Sequence, residues 1–229
     1  MPSDEKLGLR VFTKVNRVPR EKFEKLMGVT TGNVCDAMDR FGAMDYQIKP
    51  VDPMMKCVGT AITVKARPCD NLIVYKALEI SRPGDVIVIG IYNYTASSTW
   101  GDLTSLIGKQ KGLAGMVTDG LVRDVIGIKE VGLPVFSRGS IPTSPFKDGP
   151  GEVNVPITCG GISVSPGDII FGDVDGVVVI PRENVDQVVR KALEIAAEEE
   201  KKVKDIKSGH LIPDWVEKTL KERGYVIKE

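Results

Sequence analysis

Apolar positions before residue 50 fall at helical spacing. Residues 20–27 read as a short helix behind Pro19. Residues 30–41 read as a longer one, with Thr31 as cap and Val34, Ala37, Met38 and Phe41 on one face. Gly42 ends it. From Lys56 the pattern changes. Val58, Ala61, Ile62 and Val64 alternate or cluster, so residues 57–66 read as a strand. Residues 70–80 read as a helix capped by Asp70, with Leu72, Ile73, Ala77 and Leu78 buried. The turn Pro83-Gly84-Asp85 leads into a buried strand over 86–91.

A strand-helix alternation follows. Residues 101–111 read as helix, 114–118 as strand, 124–130 as helix and 134–137 as strand. Residues 140–151, dense in Pro, Gly and Ser, read as a loop. A second Pro-Gly-Asp turn at 166–168 precedes a strand over 169–171, and Asp175-Gly176 signals a hairpin into 177–180. The surrounding sequences diverge, so the repeated turn does not mark a duplication. After Pro181 comes a long charged helix to about Lys207, with Val185, Val188, Val189, Leu193 and Ala196 as its apolar stripe. A tail helix over 213–223 ends the pattern. These elements predict one α/β domain over residues 1–207 and a C-terminal helical extension over 208–229.

Composition narrows the function. Thirty-one basic residues balance thirty-one acidic ones, so no net field favours nucleic acid or an anionic membrane. No apolar stretch is long enough to span a bilayer, and the charged start (Asp4, Glu5, Lys6, Arg10) lacks a secretory signature. The four cysteines form no C-x-x-C pair and read as reduced thiols of a cytoplasmic protein. His210 is the only histidine, which excludes a His-rich zinc site. Nucleotide-binding glycine motifs and a G-x-S-x-G elbow are absent.

Three polar segments could carry chemistry. In Trp100-Gly101-Asp102-Leu103-Thr104 a helix start leaves backbone N–H groups free for an anion, although Asp102 alone reads as a cap. Thr118 to Asp124 follows an apolar strand, where ligands of α/β folds collect. There Arg123 suits a carboxylate and Asp124 suits Mg²⁺ or Mn²⁺, although adjacent Arg and Asp are commonly a surface pair. The run Glu198-Glu199-Glu200 reads as a solvated helix face.

Twenty residues separate Asp102 from Arg123-Asp124. That spacing, with Val34-Cys35-Asp36-Ala37-Met38, Gly59-Thr60-Ala61-Ile62-Thr63-Val64, Asp70-Asn71-Leu72 and both Pro-Gly-Asp turns, resembles the 4-hydroxy-4-methyl-2-oxoglutarate aldolase family. The family also contains the regulator of ribonuclease activity A proteins. The resemblance runs from about Thr30 to Val189. It implies a swivelling β/β/α fold, assembled as homotrimers or homohexamers with active sites at subunit interfaces. By the same resemblance Asp124 binds a divalent metal, Asp102 holds metal-bound water, and Arg123 binds the pyruvyl carboxylate with the turn Gly101-Asp102-Leu103-Thr104. Glu199, or Glu198 beside it, would come from a neighbouring subunit.

The expected reaction is metal-dependent retro-aldol cleavage of a 4-hydroxy-2-oxo acid to pyruvate. Oxaloacetate decarboxylation makes the same enolate and is expected beside it. The competing expectation is a regulator that binds a ribonuclease and does no chemistry. Family members that act only as regulators tend to lack an acid at the position of Asp102, so its presence favours chemistry. Tyr92-Asn93-Tyr94 and the 140–151 loop are expected to shape the distal part of the substrate pocket.

Overall fold

The chain order begins with α1 (Thr31–Ala37), β1 (Lys49–Pro50) and β2 (Cys57–Ala66) in a computed structural model that describes residues 6–226. Asp4 and Glu5, and the tail from residue 227, lie outside the described residues. The alternation then runs α2 (Leu72–Ile80), β3 (Asp85–Gly90), β4 (Ser98–Trp100), α3 (Asp102–Gln110) and β5 (Gly115–Thr118). It continues through β6 (Leu121–Val122), α4 (Val125–Val131), β7 (Val135–Ser137) and β8 (Gly151–Val153). The hairpins β9 (Ile157–Cys159) with β10 (Ile162–Val164), and β11 (Ile169–Asp173) with β12 (Gly176–Ile180), follow. The helices α5 (Val185–Lys207) and α6 (Trp215–Glu222) come last.

Strand β2 organises the main sheet. One edge pairs in parallel with β3, which continues to β5 and β7 through the crossover helices α2, α3 and α4. The other edge is shared: β11 pairs with Cys57 to Thr60 and β8 with Val64 to Ala66, both antiparallel. Ala43 bridges Val178 on β12, and Lys49 pairs with Ser137 on β7. The segment between α1 and β1 thereby nearly closes the sheet into a barrel.

Period-two alternation sorts the side chains into layers. Ile62, Val64, Ile87 and Ile89 face Val74, Ala77 and Leu78 of α2. Ala61, Val86 and Val88 point the other way, towards Ile157 and Cys159 of β9 and Val177 and Val179 of β12. Each such aliphatic side chain larger than alanine contributes about 1.5–3 kcal/mol when withdrawn from water. A third cluster joins Phe171, Val178 and Ile180 to α1 and to Val185, Val188, Val189 and Ala192 of α5. The result is an α/β domain of the swivelling β/β/α type with a long C-terminal helix, as the resemblance implied.

The repeated Pro-Gly-Asp has a local cause. Asp85 Oδ2 accepts from Arg82 N at 2.8 Å, and Asp168 Oδ2 accepts from Ser165 N at 2.7 Å. Each buried carboxylate locks its own turn three residues back, and both turns abut β2 through Thr60 and Ala61. The four cysteines are free thiols, and burial pushes the Cys57 thiol up to about 12.

Several expected elements differ. Residues 20–27 form two 3₁₀ turns rather than a helix. Thr30, not Thr31, caps α1, and Thr31 bonds instead to Asp173 at 2.6 and 2.8 Å. That helix stops at Ala37, where Asp39 and Arg40 turn left-handed so that Gly42 and Met44 can hydrogen-bond to β12; Phe41 is left exposed. In α2 the buried face is Val74, Ala77 and Leu78, while Leu72 lies open. The β9–β10 hairpin and the β4–β6 pair were not legible as separate elements.

Candidate active site

The short parallel pair β4–β6 brings distant halves of the site together. Ser98 pairs with Leu121 and Trp100 with Val122, and Arg123 N donates to Trp100 O at 3.0 Å. Gly101-Asp102 and Arg123-Asp124 therefore leave the strands side by side. The twenty residues between them are the α3–β5 excursion and return, which gives the spacing a geometric meaning.

Close approach of these turns requires small residues. A Cβ on Gly101 would stand 2.8 Å from Asp124 Oδ2, and one on Gly127 would stand 2.7 Å from Asp102 Cβ. Thr104 Oγ1 accepts from Gly101 N and donates to Gly101 O, both at 2.9 Å, and so secures the first turn of α3. Asp102 is thereby released from capping the helix: its Oδ1 reaches only Leu103 N, at 2.6 Å.

Asp124 is the N-cap of α4 and sits at φ 56°, ψ 44°, in the left-handed region. Holding a non-glycine residue there costs about 1–2 kcal/mol. Its carboxylate pairs with Arg123 Nε at 3.0 Å, and Arg123 also donates to Ser144 Oγ. The two charged side chains are 37% and 39% exposed, so their pairing does little for stability.

Asp102, Arg123 and Asp124 line one cleft of about 150 Å³, with Leu103 and Thr104 at the helix end. That is room for a small acid rather than a nucleotide. Buried Trp100 backs the cleft, its Nε1 donating to Ser105 Oγ at 2.6 Å. Among the described residues no three His, Cys, Asp or Glu side chains gather as a metal cage; the cleft offers two carboxylates.

Other candidates lie elsewhere. Glu199 is on α5, where its Oε2 accepts from Asn33 Nδ2 at 2.7 Å, and neither Glu198 nor Glu199 lines the cleft within one chain. Tyr92-Asn93-Tyr94 does not line it either. That segment wraps buried Asp119, whose carboxylate accepts from Ile91 N at 2.8 Å and Asn93 N at 3.3 Å. The 140–151 loop does reach the cleft, through Ser144, Pro145 and Lys147, and α2 adds Tyr75 with Asn71 at its start. Sequence reasoning missed these individual residues. The 140–151 loop was expected at the pocket as a whole, and Asp70-Asn71-Leu72 entered only as part of the resemblance.

Residues 31–179 match the RraA-like family model, described as Aldolase/RraA. A relative from Halalkalibacterium halodurans named "Putative 4-hydroxy-4-methyl-2-oxoglutarate aldolase" is 40% identical over 172 residues, 75% of this chain and 82% of the relative. One of the same name from Aromatoleum aromaticum is 33% identical, covering 67% of this chain and 96% of its own. Among solved structures, Streptomyces coelicolor RraAS2, described as an unusual member of the RNase ES inhibitor RraA family, is 28% identical with a TM-score of 0.75. It covers 82% of this chain and 98% of its own. The family model spans the segments that carry the cleft, and with these relatives it shows that the chain belongs to the RraA-like (Aldolase/RraA) family.

Proposed function

We propose that the protein is a metal-dependent lyase that cleaves a 4-hydroxy-2-oxo acid, such as 4-hydroxy-4-methyl-2-oxoglutarate, and releases pyruvate. One observation carries this reading. Asp102, Arg123 and Asp124 converge with the start of α3 in a single small cleft, and Asp124 is held there in a strained backbone with its side chain paired only to Arg123 of the same cleft.

The donor set fits Mg²⁺ or Mn²⁺. Two hard carboxylates and no histidine or thiolate line the cleft, so a bound ion would keep several waters, as Mg²⁺ prefers. Asp124 would hold it directly and Asp102 through water. The ion would supply charge stabilisation at the C2 oxygen as the bond breaks. Arg123 and the Thr104 N–H would fix the C1 carboxylate of the substrate, joined by the Leu103 N–H once it leaves Asp102 Oδ1. The 4-hydroxyl gives up its proton, the C3–C4 bond breaks, and the electron pair passes to the C2 oxygen as pyruvate enolate. Protonation at C3 completes pyruvate. Asp102 orients the water that takes the hydroxyl proton. Glu199 would assist from a neighbouring subunit of a trimer or hexamer, held in place by Asn33 of its own chain. Oxaloacetate loses CO₂ through the same enolate.

The test is a lactate dehydrogenase-coupled assay with Mg²⁺ or Mn²⁺. Wild-type protein is expected to release pyruvate from 4-hydroxy-4-methyl-2-oxoglutarate or oxaloacetate, and Asp124→Ala to abolish the signal. No metal-dependent pyruvate from a panel of hydroxy-oxo acids sinks the reading. A second reading, inhibition of a ribonuclease by direct binding, is favoured by the similarity to the Streptomyces inhibitor-family structure. Asp102 argues against it, because a purely docking protein has no use for a free acid beside Arg123 and Asp124. Among the described residues no helix is long and apolar enough to cross a membrane, which suits the cytoplasmic setting we propose.

A further inference from the structure

The cleft holds a second cation that the reaction scheme above leaves unused. Its four charged side chains sum to zero, Asp102 and Asp124 against Arg123 and Lys147. Arg123 is matched by Asp124 at 3.0 Å. Lys147 is matched by no carboxylate among the described residues; its ammonium stands 5.7 Å from the centre of the Tyr75 ring.

The backbone on both sides of Lys147 is fixed to the start of α2. Phe146 N donates to Cys69 O at 2.7 Å, and Phe146 O accepts from Asn71 N at 3.0 Å. Asp148 N and Gly149 N both donate to Asp70 Oδ2, at 2.7 and 2.9 Å, and Asp70 is buried. The Lys147 side chain is exposed, but its backbone is pinned on both sides and its ammonium rests by an aromatic face, which keeps the charge at the cleft. Asn71, buried in the same wall, has an Oδ1 with no hydrogen-bond partner. That oxygen is an acceptor and would take a donor such as a water or a substrate hydroxyl, not the carboxylate itself. The loop also reaches Arg123 itself, through Ser144 three residues before Lys147.

We propose that Lys147 binds the second carboxylate of a dicarboxylate 2-oxo acid and so selects dicarboxylates over monocarboxylates of the same length. The proposal rests on the cleft taking the 2-oxo acid at Arg123, as argued above. Lys147 touches substrate at its far end and takes no part in bond breaking.

Calorimetric titration of the Mg²⁺-loaded protein with 2-oxoglutarate and 2-oxopentanoate tests it without turnover, since the two differ only in the far carboxylate. Wild-type protein is expected to prefer 2-oxoglutarate. In Lys147→Met the affinity ratio is expected to fall about fivefold, the upper range for an exposed charge pair, and Lys147→Arg is expected to recover most of it. An unchanged ratio in Lys147→Met, or equal weakening of both ligands, overturns the proposal; so does a wild type that binds neither. Lys147-dependent preference without pyruvate release from any hydroxy-oxo acid upholds the subsite and sinks the lyase reading instead.

Discussion

Asp119 and Asp124 stand five residues apart in one segment and serve opposite ends. Asp119, at the end of β5, is 2% exposed, and both its oxygens are taken by backbone N–H groups of Ile91 and Asn93. It braces Tyr92 and Asn93, which are themselves left-handed at φ 60° and 58°. Asp124 inverts this arrangement. Its own backbone carries the strain, its side chain is open to the cleft, and its partner is the side chain of Arg123. A carboxylate consumed by backbone amides is structure. A carboxylate left open to a cleft at the cost of its backbone, and paired there only with one exposed side chain, is available to a ligand.

The sharpest way to break this contrast is Asp124→Gly. Glycine accepts the left-handed conformation freely, so stability is expected to hold or rise by up to about 1 kcal/mol. Metal-dependent pyruvate release is expected to fall at least about a thousandfold, equivalent to roughly 4 kcal/mol of transition-state stabilisation. Denaturant melts beside the coupled assay read both. Loss of stability in step with activity would make Asp124 another brace.

Asp119→Ala tests the other side. It leaves two backbone donors without their acceptor in a buried setting, at about 1–3 kcal/mol each, one of them on the longer 3.3 Å bond. A loss of about 3 kcal/mol is expected in urea unfolding. A variant as stable as wild type, yet inactive, would move Asp119 into the site. Next in size is Gly101→Ala, whose Cβ would press within 2.8 Å of Asp124 Oδ2. Displacing that carboxylate is expected to cost about tenfold in kcat/KM, in line with the sensitivity of reacting groups to small misplacement. Unchanged kcat/KM would show that the two turns need not meet so closely.

How much of this was readable beforehand follows the range of the interactions. Strands β2, β3 and β12 and helix α5 follow from alternation and turn residues close in sequence. The Asp102 and Arg123-Asp124 half of the cleft was legible through their spacing and the family resemblance, because locally one reads as a helix cap and the other as a surface pair. The early stop of α1 was not, because it is set by β12, far along the chain, where Val179 N donates to Gly42 O and Val177 O accepts from Met44 N. Lys147 was hidden for the same reason: Asp70 places its loop across 78 and 79 residues. Tyr92-Asn93-Tyr94 looked like pocket wall because aromatic residues in a loop commonly line sites. Nothing local revealed that Asp119 would claim the segment.

The smallest expected effect concerns pH and the Asp119 brace. Burial raises the Asp119 carboxyl above its usual value of 3.8, opposed by the N–H groups of Ile91 and Asn93 and by the charge of Arg138. A folded-state pKa above the unfolded one gives stability that is fully present below the unfolded value. That stability is lost as pH rises through the folded value. Wild-type protein should therefore gain stability relative to Asp119→Asn as pH is lowered from neutral towards 3.8, since asparagine does not titrate. Parallel urea melts across that window isolate the effect, because every other carboxylate is common to both proteins. A difference that shrinks on acidification would mean that the amide bonds outweigh burial, and a flat one that the two cancel.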